Sequence, residues 1–292
     1  MHARPTIWPR CFALLGVSFI IAAATILVKA PLRMLFGLPG EAEEDGTGKV
    51  VLITGASRGL GAEFAAQYAR SGWTVLAASR SGTLPAMLRL SDIGDVLPVK
   101  LDVLEPSQIS DLAADLERRG LHVNLLINNA GIAPDRDATL SNVDYDAWEL
   151  TLKTNVLGAH RVTAALMPAL ARSGPAFKVA FISSSLSSIS DLLGEALPED
   201  LTSTEVSYRS SKAALNMACA CIAVELRSTH PRASVSVLNP GWVDTDMGSR
   251  HGTVTPPLKP PTVVAGMRRV ISGLDARQSG AFLSWEGERE AW

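Results

Sequence analysis

Tyr208 and Lys212 stand four residues apart in VSYRSSKAALNMACA, a stretch that reads as helix, so they share one face. A phenol ionises near pH 10 in water, too high for easy proton cycling at neutral pH. A nearby ammonium favours the phenolate, and about 1.4 kcal/mol of such attraction makes the phenol ten times more acidic. The pair is suited to hand a proton to an oxygen on which negative charge develops. Read alone, it is more often a plain Tyr–Lys pair on a helix surface. Upstream, Ser183, Ser184 and Ser185 close an apolar run, and a hydroxyl there could hold a carbonyl in line for attack. A third element is Thr54-Gly55-Ala56-Ser57-Arg58-Gly59-Leu60-Gly61. Its glycines allow a tight turn and let backbone approach a pyrophosphate, whose charge suits the N–H groups of a following helix. An ordinary strand-to-helix turn is the alternative reading.

These groups need elements to carry them. Short apolar runs at Val50–Thr54, Thr74–Ser79, Val96–Leu101, Leu125–Asn128, Lys178–Ser183, Ser234–Leu238 and Ala281–Ser284 read as strands. Helical patterns lie between them at Leu60–Arg70, Pro106–Arg119, Tyr145–Ala171, Val206–Thr229 and Pro261–Leu274. Alternation of this kind predicts an α/β fold: a Rossmann-type doubly wound parallel sheet of about seven strands, helices on both faces. No linker interrupts residues 49–292, which read as one domain.

The Gly-rich turn, spaced TGxxxGxG, resembles the short-chain dehydrogenase/reductase family. So do Asn128-Asn129-Ala130-Gly131 after the fourth strand, Asn155 within LKTNVLGAHRV, the serines ending the fifth strand, Tyr208-Arg209-Ser210-Ser211-Lys212, and Asn239-Pro240-Gly241-Trp242-Val243-Asp244-Thr245. They fall in the family's order over residues 49–245. The tail from Ser279 to Trp292 further resembles the C-factor and sniffer-like carbonyl reductases. The resemblance implies hydride reduction of a ketone or aldehyde. Tyr208 would give the proton, Lys212 would lower its pKa and hold the cofactor ribose, Ser184 would orient the carbonyl, and Asn155 would support a water relay. Ser183 and Ser185, by the strand period, should point outward. The resemblance also implies cofactor contacts from Gly55, Ser57, Arg58, Leu60 and Gly61, then Arg80, Asp102 and Val103, then Asn129, Ala130 and Gly131, and finally Tyr208, Lys212, Pro240, Val243 and Thr245. A homodimer or tetramer is a further implication, as are small carbonyl or alcohol substrates. Two other readings stay open: a non-catalytic dinucleotide sensor, and an alcohol, sterol or retinoid dehydrogenase running oxidatively.

An acid ending the second strand would bind a ribose 2′-hydroxyl and mark NAD. This chain has Ala77-Ala78-Ser79-Arg80 there instead. Arg80 and Arg58 can pair with a 2′-phosphate, which favours NADP(H). The stretch from Ser184 to Tyr208 is longer than the family's usual spacing. Its acids Glu195, Glu199, Asp200 and Glu205 belong to a lid or pocket wall and read as a solvated face.

The 18 residues Cys11–Val28 carry no charge and as a helix would span about 27 Å, close to a bilayer core. They read as a single membrane anchor within residues 1–36; a cleaved signal peptide or a mitochondrial targeting segment is the rival. Arg4 and Arg10 precede the run and Lys29 and Arg33 follow it, so the basic flanks do not orient it. Residues 37–48, rich in Gly, Pro and acids, read as a linker, and the catalytic body is expected to face the cytosol. The chain's net charge of −2 provides no global basic field, so nucleic acid is not an expected partner. Cys11, Cys219 and Cys221 form no disulfide framework, and no Cys or His spacing suggests a metal.

Overall fold

Alternation along one strand already divides the core in two. The computed structural model describes residues 45–83, 94–194 and 204–292. It sends Val51 and Ile53 of β1 (Val50–Thr54) into one apolar cluster and Leu52 into another. Both sets are buried because the sheet is covered on both sides. The other strands are β2 (Thr74–Ser79), β3 (Val96–Lys100), β4 (Leu125–Asn128), β5 (Lys178–Ile182), β6 (Ser234–Asn239) and β7 (Phe282–Ser284). All pairings are parallel, in the order β3-β2-β1-β4-β5-β6-β7. The order reverses between β1 and β4, which opens a crevice at the carboxyl ends of those strands. This is the Rossmann-type sheet the alternation predicts.

Helices α1 (Gly59–Arg70) and α7 (Pro260–Gly273) cover one face, with Phe64, Met267 and Ile271 packed on Ile53 and Ile127. On the other face α2 (Pro106–Arg118), α4 (Ala159–Arg172) and α6 (Val206–Thr229) bring Leu116, Leu166 and Leu215 onto Leu52 and Phe181. Two shorter helices among the described residues are α3 (Tyr145–Leu152) and α5 (Ile189–Leu193). Trp148 ties α3 to α6 by donating its indole N–H to Ser210 Oγ at 2.9 Å.

Three sequence expectations need correction. The single helix expected over Tyr145–Ala171 is interrupted by a π-helical segment, Lys153–Gly158, between α3 and α4. The extra residue per turn rotates Asn155 inward, where it is 1% exposed. Next, β3 is not apolar and buried throughout: it ends at Lys100 and leaves Leu97 43% exposed. It is the edge of the sheet, which is also why it tolerates Pro98 opposite Ala77. Finally, Ser183 points into the protein rather than outward and is 2% exposed. It does alternate with Ser184, but the opposite face of a doubly covered sheet is core.

The proposed span Cys11–Val28, the linker up to residue 44, and Glu195, Glu199 and Asp200 lie outside the described residues. Among the described residues no helix is long and apolar enough to cross a membrane, and no cluster of His, Cys, Asp and Glu could hold a metal. Cys219 is buried and Cys221 exposed, so these two thiols of α6 do not pair.

Candidate active site

The carboxyl ends of β1, β4, β5 and β6 meet around the crevice. At the end of β1, Gly55 and Gly59 adopt φ of +68° and +55°, left-handed values that other residues rarely take. A Cβ on Gly61 would stand 2.3 Å from the Gly55 carbonyl oxygen, and one on Gly55 2.9 Å from Ala130 Cα. Only glycines let the turn close this tightly. Thr54 braces it: its hydroxyl oxygen accepts from the N–H groups of Asn129 and Ala130, each at 3.0 Å. Asn129 returns the link, donating to the carbonyls of Thr54 at 2.9 Å and Gly55 at 3.3 Å. Asn129 thus shapes the cradle through its side chain. Thr54 was legible only as the first letter of the motif, because its work lies in pairing with residues 75 positions away.

Helix α1 starts in this turn with no side chain capping its first N–H groups and no acid in its first turn. That donor set fits a pyrophosphate. Ser57 and Arg58 are exposed on the turn, Leu60 is half-buried, and Arg80 is exposed just beyond β2. Arg58 pairs with Asp246 at 3.3 Å, an exposed pair that a phosphate could displace. Thr245 lies over the turn, its Cγ2 3.5 Å from where a Gly59 Cβ would be. Val243 and Pro240 are buried behind it. Beyond β3, Asp102 accepts the Leu104 N–H at 3.0 Å, and Val103 is 6% exposed against Gly158. The cradle is compatible with a dinucleotide.

Tyr208 and Lys212 enter from α6, 7% and 4% exposed. Lys212 Nζ lies 5.6 Å from the Tyr208 ring centroid and donates to the Ile182 carbonyl at 2.8 Å. Ser184, half-buried after β5, hydrogen-bonds Tyr208 and accepts the Leu186 N–H at 3.2 Å. Asn155 accepts the Ile132 N–H at 2.8 Å and donates to the Ile132 carbonyl and to Ser211 Oγ, both at 2.9 Å. A Cβ on Gly131 would sit 3.2 Å from Asn155 Oδ1 and 3.5 Å from Lys212 Nζ, so Asn155, Gly131 and Lys212 are immediate neighbours. Both amide hydrogens of Asn155 are spent on the chain; its oxygen keeps one acceptor site.

The electrostatics depart from expectation. Burial pushes the Tyr208 phenol up to about 12, against the pull of Arg136 and of the Ser184 hydrogen bond. Burial also brings Lys212 down to about 8. The expectation that Lys212 by itself lowers the phenol is not met here: desolvation dominates, and the ammonium is directed to a backbone carbonyl. The cation acting on the phenol is Arg136, whose guanidinium carbon lies 5.9 Å from the ring centroid. Glu205 acts against it. This glutamate is not on a solvated face: it is 6% exposed, pairs with Arg250 at 3.2 Å and Arg136 at 3.8 Å, and holds a left-handed φ of +65°. Strained non-glycine backbone of this kind clusters at functional sites. Neither Arg136 nor Arg250 carried a signal in the sequence, since their relation to Tyr208 exists only through folding.

Residues 49–253 match the short chain dehydrogenase family. The C-signal of Myxococcus xanthus is 40% identical over 171 residues, 58% of this chain and 93% of that protein. An NADPH-bound carbonyl reductase from chicken fatty liver superposes with a TM-score of 0.72 at 33% identity, over 84% of this chain and 99% of that one. Carbonyl reductase Sniffer of D. melanogaster superposes with a TM-score of 0.69 at 27% identity, over 84% of this chain and 100% of its own.

Proposed function

The chain belongs to the short-chain dehydrogenase family, and from that premise we propose that it is an NADP(H)-dependent reductase of a ketone or aldehyde. The carrying observation is the meeting of Tyr208, Ser184, Lys212 and Asn155 beside the glycine cradle, from three segments of chain. NADP(H) is the cofactor, consistent with relatives of known structure that hold it, and it supplies the hydride. Gly55, Ser57, Arg58, Leu60 and Gly61 would hold its pyrophosphate side, Arg58 and Arg80 its 2′-phosphate, Asp102 and Val103 its adenine. Ala130, Gly131, Pro240, Val243 and Thr245 would line its path to the site.

Within the site, Ser184 Oγ donates to the substrate oxygen and fixes its direction. Tyr208 Oη donates its proton to that oxygen as negative charge develops there. A phenol kept up at about 12 is protonated at neutral pH and therefore ready as an acid. Lys212, lowered to about 8, is able to give up a proton near neutral pH and would hold the cofactor ribose when it is bound. Asn155 holds the Ile132 turn against Lys212. The test is NADPH oxidation by the full chain over a panel of aldehydes, ketones and 1,2-diketones. NADPH binding without turnover across the panel would favour the sensor reading; faster NADP-dependent oxidation of sterols or retinols would favour the oxidative one.

The charges around Tyr208 give a pH prediction. Reduction needs the protonated phenol, so turnover falls as pH climbs through its pKa. Arg136→Met removes a cation that holds this pKa down, and the alkaline limb is expected to move up. Glu205→Gln removes an anion that holds it up, and the limb should move down. Profiles of kcat against pH decide it; movement of both limbs in the same direction would show that neither charge acts on the phenol.

We further propose that Cys11–Val28 tethers the enzyme to a membrane, with 37–48 as linker and 49–292 as the catalytic body facing the cytosol. The support is the length of the uncharged run. After a carbonate wash the full chain is expected in the pellet, and residues 41–292 are expected soluble and active. Release of the full chain at native length would refute the anchor, and release as a shortened chain would show a cleaved leader.

A further inference from the structure

Asn216 lies one turn beyond Lys212 on α6, on the face that already carries Tyr208 and Lys212. It is 3% exposed, and the mechanism above does not use it. Its amide is gripped from both sides by the chain that flanks Ser184. Ser183 Oγ donates to Asn216 Oδ1 at 2.7 Å, and Asn216 Nδ2 donates to Ser187 Oγ at 2.8 Å. Ser187 Oγ in turn donates to the Ser184 carbonyl at 2.6 Å, which also accepts the Ser187 N–H at 3.0 Å. Ser183 and Ser187 are 2% and 3% exposed, so this chain of bonds runs in the interior.

Donation runs one way along it, from Ser183 through Asn216 and Ser187 to the Ser184 backbone. Turning the amide over would set its oxygen against Ser187, which would then have to give up the Ser184 carbonyl to donate to it. The side chains before and after Ser184 are therefore both fixed by one residue of the catalytic helix. Ser184 itself caps the turn Ser185–Ser187 with extended backbone (φ −164°, ψ 150°), its hydroxyl oxygen accepting the Leu186 N–H.

We propose that Asn216 is a positioning residue: it clamps the 183–187 turn to α6 and so holds the Ser184 hydroxyl in register with Tyr208. This rests on the assignment of Ser184 as the group that orients the carbonyl. Both polar atoms of the Asn216 amide are hydrogen-bonded in this network, which explains why an amide, rather than a packed apolar side chain, occupies this core position.

The test uses the full chain with Asn216→Leu and Ser187→Ala, each alone and combined with Ser184→Ala. Hydrogen exchange without substrate is the first readout. Both single variants should lose at least tenfold protection in residues 185–188 while the centre of α6 keeps its own. Kinetics are the second, with the carbonyl that turns over fastest in the panel. Each single variant should lower kcat about tenfold, the effect of one lost hydrogen bond, at an unchanged KM for NADPH. In the Ser184→Ala background neither should lower kcat further. A full additional loss there would reduce Asn216 to a residue of general stability and overturn the clamp while leaving Ser184 in place. Unchanged protection of 185–188 would overturn it too. Full turnover in Ser184→Ala alone would overturn the serine's assignment, and the clamp with it. Should Asn216→Leu fail to fold, Ser187→Ala breaks the same chain from the loop side without touching α6.

Discussion

Tyr208→Phe is expected to lower kcat at least a hundredfold while NADPH still binds. Phenylalanine keeps the ring, and the ring is what packs beneath Arg136 and Lys212 at centroid distances of 5.9 and 5.6 Å. Only the hydroxyl is lost, together with its hydrogen bond to Ser184. General acid catalysis typically contributes 10²–10⁴ in rate, and a hundredfold loss corresponds to about 2.7 kcal/mol of transition-state stabilisation. Removing a phenol whose burial opposes its ionisation leaves no new buried charge, so the fold should be unaffected. Steady-state turnover and a fluorescence titration with NADPH, run on the same preparation, separate chemistry from binding. Near-normal turnover would remove Tyr208 as the proton donor, and loss of NADPH binding would make it a structural residue of the cofactor site.

The second large effect concerns the cofactor. Arg58→Ala combined with Arg80→Ala is expected to raise the KM for NADPH about a hundredfold and the KM for NADH far less. Both arginines are exposed where β1 and β2 end, and the second strand closes on Ser79 rather than an acid. Two charge-assisted hydrogen bonds to a phosphate, each contributing about 1.5–3 kcal/mol, account for an effect of that size. NADH lacks the group they would meet. The pair between Arg58 and Asp246 has both side chains largely exposed, so its loss should not destabilise the domain. Equal rises for the two cofactors would show that the arginines do not read the 2′-phosphate.

How far the sequence reached differs by kind of information. β1, β2, β4 and α6 begin and end where their residue patterns place them, and most other boundaries move by a single residue. These are local properties: period-two and period-3.6 alternation, a glycine-bearing turn, Pro near a helix start. The parallel direction of the strands followed because nearly every apolar run is separated from the next by a helical pattern, the second and third being the exception, and such a connection forces a crossover. Tyr208 and Lys212 were legible as a pair because four residues is one helical turn. The glycine turn was legible because positive φ demands glycine.

What the sequence left open is everything set by burial and by partners far away in the chain. Ser183 looked like an outward residue, and the period of the strand is indeed kept, but which side is core depends on the helices laid over it. Glu205 reads as one more acid of a polar loop, yet the fold surrounds it with Arg136 and Arg250. Asn155 turns inward through a π-helical segment that continuous helical periodicity does not reveal. The pKa of Tyr208 moved opposite to the expectation drawn from its neighbour Lys212, because desolvation is a property of the whole surrounding volume and exceeded the nearby charges. Asn216 reaches Ser183 across 33 residues and Ser187 across 29, a link no spacing rule contains. The sequence by itself determined which groups could act and on which elements they ride. Only the tertiary structure decided which are buried, which way their hydrogen bonds run and which charges they feel, since those energies depend on distance and dielectric in space rather than on separation along the chain.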